Sequence, residues 1–154
     1  HVSQALVPVL ASIGFSCTVV DDRAEFADPA LFPQAEAVYE ADYEALPADL
    51  GVTPDDYVCI MTRGHVGDYD VQRQMLAIKP YYLGVIGSRR KLAFVKEQLL
   101  ADGFTAAEID ACHAPIGLAI SAVTPAEIAI SIAAELIAIR AKREGREKSR
   151  YHKP

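Results

Sequence analysis

The sequence has no long apolar run. Its hydrophobic stretches are broken by Glu, Ser or Gly well before 18 residues, so no transmembrane helix is expected. It is poor in cysteine. Cys17, Cys59 and Cys112 are far apart and form no CxxC pair, which argues against a disulfide framework or a zinc site. Cys17 and Cys59 fall inside apolar strand-like runs and read as inert core residues, in keeping with a reducing cytoplasm. An excess of basic charge is missing too. A formal net charge of −6 makes general nucleic-acid binding a poor fit, because that binding needs a basic footprint. HExxH, Walker A and kinase signatures and a Ser-His-Asp order are absent, so no catalytic set and no metal site is assigned. No signal peptide is visible in the residues given. The sequence does not open on Met, which gives the expectation that further chain precedes it. What is present is 154 residues, 51% hydrophobic and 23% charged, the balance of one globular domain with a full core.

Along the chain, Val2–Ile13 reads as a helix, with Ala5, Leu6, Val9, Leu10 and Ile13 on one stripe and Gly14 as its C-cap. Phe15–Val20 reads as a strand, Ala24–Pro33 as a connection and Glu36–Tyr39 as a further short strand. Asp42–Leu46 is expected to form a helical turn and Pro47–Pro54 a loop. Tyr57–Met61 and Tyr81–Ile86 are buried strands. Thr62–Tyr69 reads as a Gly-rich loop before a short helix, Asp70–Ile78. Gly87–Lys91 turns into a helix over Lys91–Ala101, and Thr105–Ala111 follows as a short helix with Thr105 and Glu108 as a capping box. His113–Val123 is irregular. Thr124, Pro125 and Glu127 mark the start of a long helix, Pro125–Arg143. Its apolar face is broad enough to pack on more than one neighbour, including a second subunit. Glu144–Pro154 is charged and expected to be disordered. Strands that are continuous apolar runs, alternating with helices, indicate a doubly wound α/β domain over residues 1–143. Its sheet is mainly parallel and covered on both faces.

Beginning on a helix followed by a strand with an acidic end is the second half of a βαβ unit. The first strand and its glycine turn are therefore expected upstream of His1, or the gap is filled by another segment or subunit. Ligands of such sheets bind beyond the strand C-termini, where His1–Ser3, Asp21–Arg23, Thr62–Asp68 and Gly87–Lys91 converge. Arg89, Arg90 and Lys91 at a helix start oppose the helix dipole by a few tenths of a kcal/mol each. That placement suits a bound anion, with Ser88 capping the helix or donating to a phosphate; the alternative is three solvated cations. Asp21 and Asp22 stand where a carboxylate receives ribose hydroxyls, although a turn or an ion pair with Arg23 explains them equally well. His65 and Asp68 share a loop with Thr62 and read as a polar pair, a proton relay or a metal-ligand pair, but one such pair assigns no role. His113 reads as a ligand contact or a structural loop histidine.

YVCIMTRGHVGD, YYLGVIGSRRK, HAPIGL and TPAEIAISIAAEL, in this order and with HVSQAL and VVDDR before them, resemble the C-terminal Rossmann-like domain of the XdhC/CoxI family. The resemblance reaches about Arg143. It implies an accessory factor of molybdenum hydroxylases such as xanthine dehydrogenase. Such a factor binds molybdenum cofactor (a pterin with a phosphate, with or without a nucleotide), protects it during sulfuration and hands it to the apo-enzyme. A homodimer and contact with a cysteine desulfurase are implied as well. On this reading Arg89, Arg90 and Lys91, with Gly87 and Ser88, hold phosphate, and Asp21 or Asp22 holds a sugar hydroxyl. Thr62, His65 and His113 line the pocket. His1-Val2 follows the family's glycine-x-glycine turn, and Ser3 occupies the place of the third glycine. The family loop Met-Thr-His-Asp-His is here Met61-Thr62-Arg63-Gly64-His65, and the Asp after HAPIGL is here Ala119. The protein is then expected to be a cofactor-binding chaperone without turnover. The rivals are an NAD(P)-binding oxidoreductase and a dinucleotide-sensing regulatory module.

Overall fold

A computed structural model describes residues 1–146. The expected disordered tail therefore lies, from residue 147 on, outside the described residues. Helices α1 (Val2–Ser12), α2 (His65–Ile78), α3 (Arg89–Ala101), α4 (Ala106–Asp110) and α5 (Pro125–Arg143) alternate with strands β1 (Thr18–Asp21), β2 (Ala37–Glu40), β3 (Tyr57–Ile60) and β4 (Tyr82–Val85). All strand pairing is parallel. Thr18 to Asp21 run beside Ala37 to Glu40, and Tyr57 to Ile60 beside Tyr82 to Val85. His113 adds a parallel bridge to Gly84 on the far edge of β4.

Two layers cover these strands, because alternate residues of an apolar strand face opposite sides. Tyr57, Cys59 and Met61 join Leu6, Leu10, Ile132 and Leu136 of α1 and α5. Val58 and Ile60 join Val71, Met75, Val95 and Leu99 of α2 and α3. The doubly wound α/β architecture expected from the sequence is thus present. It differs in one respect: the strands form two separate parallel pairs, β1–β2 and β3–β4, instead of one continuous sheet.

The capping boxes are as read. The Thr124 side chain accepts from Glu127 N and the Thr105 side chain from Glu108 N. Boundaries moved where tertiary contacts outweigh propensity. β1 starts at Thr18, because the chain first closes α1 through Phe15 N donating to Leu10 O at 3.0 Å. α2 starts five residues earlier than expected, at His65. Two glycines in that stretch argue against a helix, but Gly64 turns the chain at φ +86° and Asp68 then ties the first turn to Thr62. Gly67 is required there, since a Cβ would lie 2.7 Å from Thr62 Oγ1. α3 starts at Arg89 rather than Lys91. Asp42–Leu46 is a turn without a helix, whereas Pro29–Leu31 and Ala48–Leu50 form short 3₁₀ turns. No helix among the described residues is long and apolar enough to cross a membrane.

Candidate functional site

The ends of the parallel strands form a rim, and Ser3, Asp21 and Thr62 from three of the four expected segments line one cavity there, with the fourth, Gly87–Lys91, beside the start of α2. Ser88 is the N-cap of α3, its side chain accepting from Lys91 N at 3.4 Å. This leaves Arg89, Arg90 and Lys91 exposed in the first helical turn. Among the described residues none of these three cations is in an ion pair. Beside them stands the start of α2. The His65 ring meets Phe94 of α3 edge-on, with centroids 4.7 Å apart. On the other side of α2, Asp22 shares a cleft of about 380 Å³ with Asp42, Tyr43, Arg63, Val66, Gly67 and Asp70. His1, exposed, precedes α1 without a side-chain cap, and Ser3, the second residue of α1, is half-buried.

The two acids at the end of β1 have different surroundings. Asp21 accepts from Arg23 N at 3.0 Å, Arg23 Nε at 3.1 Å and Arg23 Nη2 at 3.3 Å, while Arg23 lies over the Phe26 ring at 4.0 Å. Asp22 Oδ1 is 3.9 Å from Arg23 Nε. The ion-pair alternative therefore describes Asp21, and Asp22 is the acid facing the cleft. Burial pulls the Asp21 carboxyl up, but the Arg23 hydrogen bonds and charge outweigh it and leave its pKa below the usual value. A carboxyl held low in the fold adds stability above its unfolded pKa, about 3.9, and loses it as pH falls through the folded value. Asp21→Asn should therefore cost up to about 1 kcal/mol at neutral pH, and the gap from the native chain should close toward pH 3. Urea midpoints at both pH values check this; a gap that widens in acid would refute it.

His65 and Asp68 do not pair. The Asp68 carboxylate, buried, accepts from Thr62 N at 3.1 Å and from Thr62 Oγ1 at 2.6 Å. Thr62 is thus committed to the turn. Burial raises the Asp68 carboxyl, with the Thr62 bonds and the Lys91 charge opposing, so Lys91 is electrostatically coupled to the α2 turn. His113 sits level with Gly84, inside the strand layer and not past its end. Its Nδ1 is 2.8 Å from Glu135 Oε1, and its ring stacks on Tyr82 with centroids 4.7 Å apart.

The sequence reading missed Asp42, Tyr43, Arg63 and Asp70. Asp42 and Tyr43 follow β2 directly, so the strand-end rule applied to Asp21 would have found them. Burial, reinforced by the charges of Asp21 and Asp22, pushes the Tyr43 phenol up to about 12, so it stays a hydroxyl donor in the cleft. The three thiols are raised by burial, Cys59 to about 12, which makes them poor nucleophiles. No group of three or more His, Cys, Asp or Glu that could hold a metal ion occurs among the described residues.

The chain is similar in sequence and fold to known proteins. The chain is 33% identical over 141 residues to the Escherichia coli K12 protein YqeB, itself uncharacterised, covering 91% of this chain and 26% of that one. It is 28% identical over 135 residues to a Bacillus subtilis 168 protein named as a probable subunit of xanthine dehydrogenase, covering 88% and 39%. The fold matches a crystal structure of a xanthine dehydrogenase from Bacillus halodurans with a TM-score of 0.75 and 29% identity, covering 99% of this chain and 42% of that one. The chain spans well under half the length of these relatives. The profile of the XdhC Rossmann domain matches residues 1–136, and the chain belongs to that family.

Proposed function

We propose that this chain is the cofactor-holding domain of a maturation factor that binds molybdenum cofactor and delivers it to a molybdenum hydroxylase such as xanthine dehydrogenase. The observation that carries the reading is the exposed cationic turn Ser88–Lys91, free of ion pairs among the described residues. It stands on the rim of a domain whose relatives bear xanthine dehydrogenase names. The residues fit the group's polar parts. Arg89 and Arg90 offer charge-assisted hydrogen bonds to a phosphate, and the free N–H groups of the α3 start add to them. Asp22 and the Tyr43 hydroxyl offer an acceptor and a donor to hydroxyls or to pterin edges. The bound group supplies molybdenum redox chemistry to the recipient enzyme; this chain's residues hold and orient it. The test is anaerobic calorimetric titration with molybdenum cofactor and, separately, with NAD(P). Cofactor binding is expected. Binding of NAD(P) alone overturns the reading in favour of an oxidoreductase or a sensor, the readings to which a Rossmann domain lends itself.

Delivery by a homodimer, in the cytoplasm and beside a cysteine desulfurase, belongs to the same proposal. Ile130 and Ile137, two turns apart on α5, are 56% and 39% exposed, and burying such side chains contributes about 1.5–3 kcal/mol each. Ile130→Glu with Ile137→Glu is expected to convert a dimer to a monomer in light scattering without changing the circular dichroism. A native chain that is already monomeric, or a variant that stays dimeric, removes α5 as the interface.

A further inference from the structure

The cleft of about 380 Å³ beside α2 holds opposite charges that do not meet. Arg63, Val66, Gly67 and Asp70 recur at three- and four-residue spacing, so the start of α2 and the residues leading into it turn one face toward the cleft. Asp22, at the end of β1, and Asp42 and Tyr43, just past β2, close the other side. Arg63 thus shares the space with three carboxylates. Among the described residues it forms an ion pair with none of them and makes no side-chain hydrogen bond. Two of the acids are already engaged. Asp22 Oδ1 lies 3.9 Å from Arg23 Nε, and Asp42 Oδ1 accepts from Glu44 N at 3.0 Å. The Asp70 carboxylate has no partner among the described residues; its residue contributes only a backbone carbonyl, to Gln74. One guanidinium and one carboxylate therefore line the same cleft, both unsatisfied. A bound group that offers acceptors to the first and donors to the second completes both.

The walls narrow the class of that group. The Tyr43 ring packs on Gly67, where a Cβ would lie 3.1 Å from Tyr43 Cδ2. Val66, also lining the cleft, is 64% exposed. Apolar walls with a few polar groups at the edge suit a flat heterocycle. A carboxylate accepts two parallel N–H bonds, which a ring N–H and a neighbouring amino group supply. A guanidinium donates a fork of N–H bonds to a ring carbonyl and the nitrogen beside it, as arginine does to guanine. Adenine lacks both edges, because its amino group stands next to ring acceptors. We propose that the cleft binds a fused 2-amino-4-oxopyrimidine ring, the ring common to pterins and guanine. Asp70 accepts from the ring N–H and the amino group, and Arg63 donates to the carbonyl and the adjoining nitrogen. The inference deepens the maturation reading and rests on it for the identity of the ligand, the ring being the pterin of a cofactor whose phosphate lies at Ser88–Lys91.

The experiment titrates the full chain with phosphate-free probes and follows its amide resonances. The probes are 6-hydroxymethylpterin, guanosine, adenosine and 6-hydroxymethyllumazine, which carries oxygen in place of the 2-amino group. The pterin or guanosine should shift the amides of Tyr43, Gly67 and Asp70. It should bind at least about tenfold more tightly than adenosine or the lumazine, because a site built for an N–H donor rejects the analogue that lacks it. The tighter of the two assigns the ring to a pterin or to a guanine nucleotide. Asp70→Asn should abolish the preference for pterin over lumazine. Arg63→Met should weaken both alike, by about tenfold, and keep the preference. Circular dichroism and Tm report that each variant is folded. The proposal is overturned if neither pterin nor guanosine shifts those amides in the millimolar range, if adenosine or the lumazine binds as tightly, or if Asp70→Asn keeps the preference. None of the probes carries phosphate or molybdenum, so these results leave cofactor delivery standing. A chain that binds the free pterin but not molybdenum cofactor in calorimetry strikes the delivery reading and keeps the ring site.

Discussion

Glu135→Ala is expected to lower stability by about 3 kcal/mol, which in a chain of this size is a Tm loss of about 10 °C. The side chain sits at 8% exposure on the sheet-facing side of α5. One carboxylate oxygen meets His113 Nδ1 at 2.8 Å. The other accepts from Gly117 N and from the Tyr82 hydroxyl, the latter at 3.3 Å. Removing the carboxylate leaves buried donors without an acceptor, at about 1–3 kcal/mol each. Gly117 cannot readily shift to compensate. It holds φ +93°, and a Cβ there would lie 2.4 Å from Ser131 Oγ. Ser131 in turn donates to Leu118 O at 2.7 Å, so α5 fixes the 113–118 segment through two polar side chains, Glu135 and Ser131. Glu135→Gln keeps an acceptor for Gly117 N and should recover more than half of the loss. Urea unfolding monitored by circular dichroism checks both variants. A loss under about 1 kcal/mol for the alanine variant would mean that the segment is held by its apolar contacts alone, chiefly Ile116.

Arg89→Ala with Arg90→Ala should weaken molybdenum cofactor binding by roughly 100-fold. A hydrogen bond to a charged group is worth about 1.5–3 kcal/mol, and each 1.4 kcal/mol is tenfold in affinity. Stability should stay within about 0.5 kcal/mol of the native chain, since both side chains are exposed and cations at a helix start are mildly unfavourable. Arg89→Lys with Arg90→Lys should restore part of the affinity, because the charge remains and the guanidinium fork is lost. Unchanged cofactor affinity in the alanine variant would move the phosphate away from α3. Weakened binding with a lowered Tm would indicate damage to the fold instead.

How much of this was legible in the sequence varies by element. α5 and α4 were readable to within a residue, because Thr124/Glu127 and Thr105/Glu108 are local capping boxes whose partners lie three residues apart. β3 and β4 were readable because burial on both faces demands continuous apolar runs. α2 was not, because what starts it is Asp68 folding back on Thr62 with Gly67 packed beneath, a contact that propensity does not encode. The same applies to the site. The cations of Ser88–Lys91 could be placed at a strand end from sequence order alone. That Asp21 is committed to Arg23, and that Asp22 faces the cleft of Tyr43 and Arg63, depends on where side chains point after the strands are aligned.

By itself the sequence determined the fold class and the order of the elements, and it pointed to the strand ends as the place for a candidate site. Periodicity, caps and strand ends are properties of short segments, and the strand-end rule turns their order into a location. Only the tertiary structure decided which polar groups are spent on the framework. His113 is paired with Glu135, 22 residues away, and Thr62 with Asp68 across a turn. It also decided that the strands run as two parallel pairs, β1–β2 and β3–β4, because strand pairing joins residues far apart along the chain and no local run of residues carries that register.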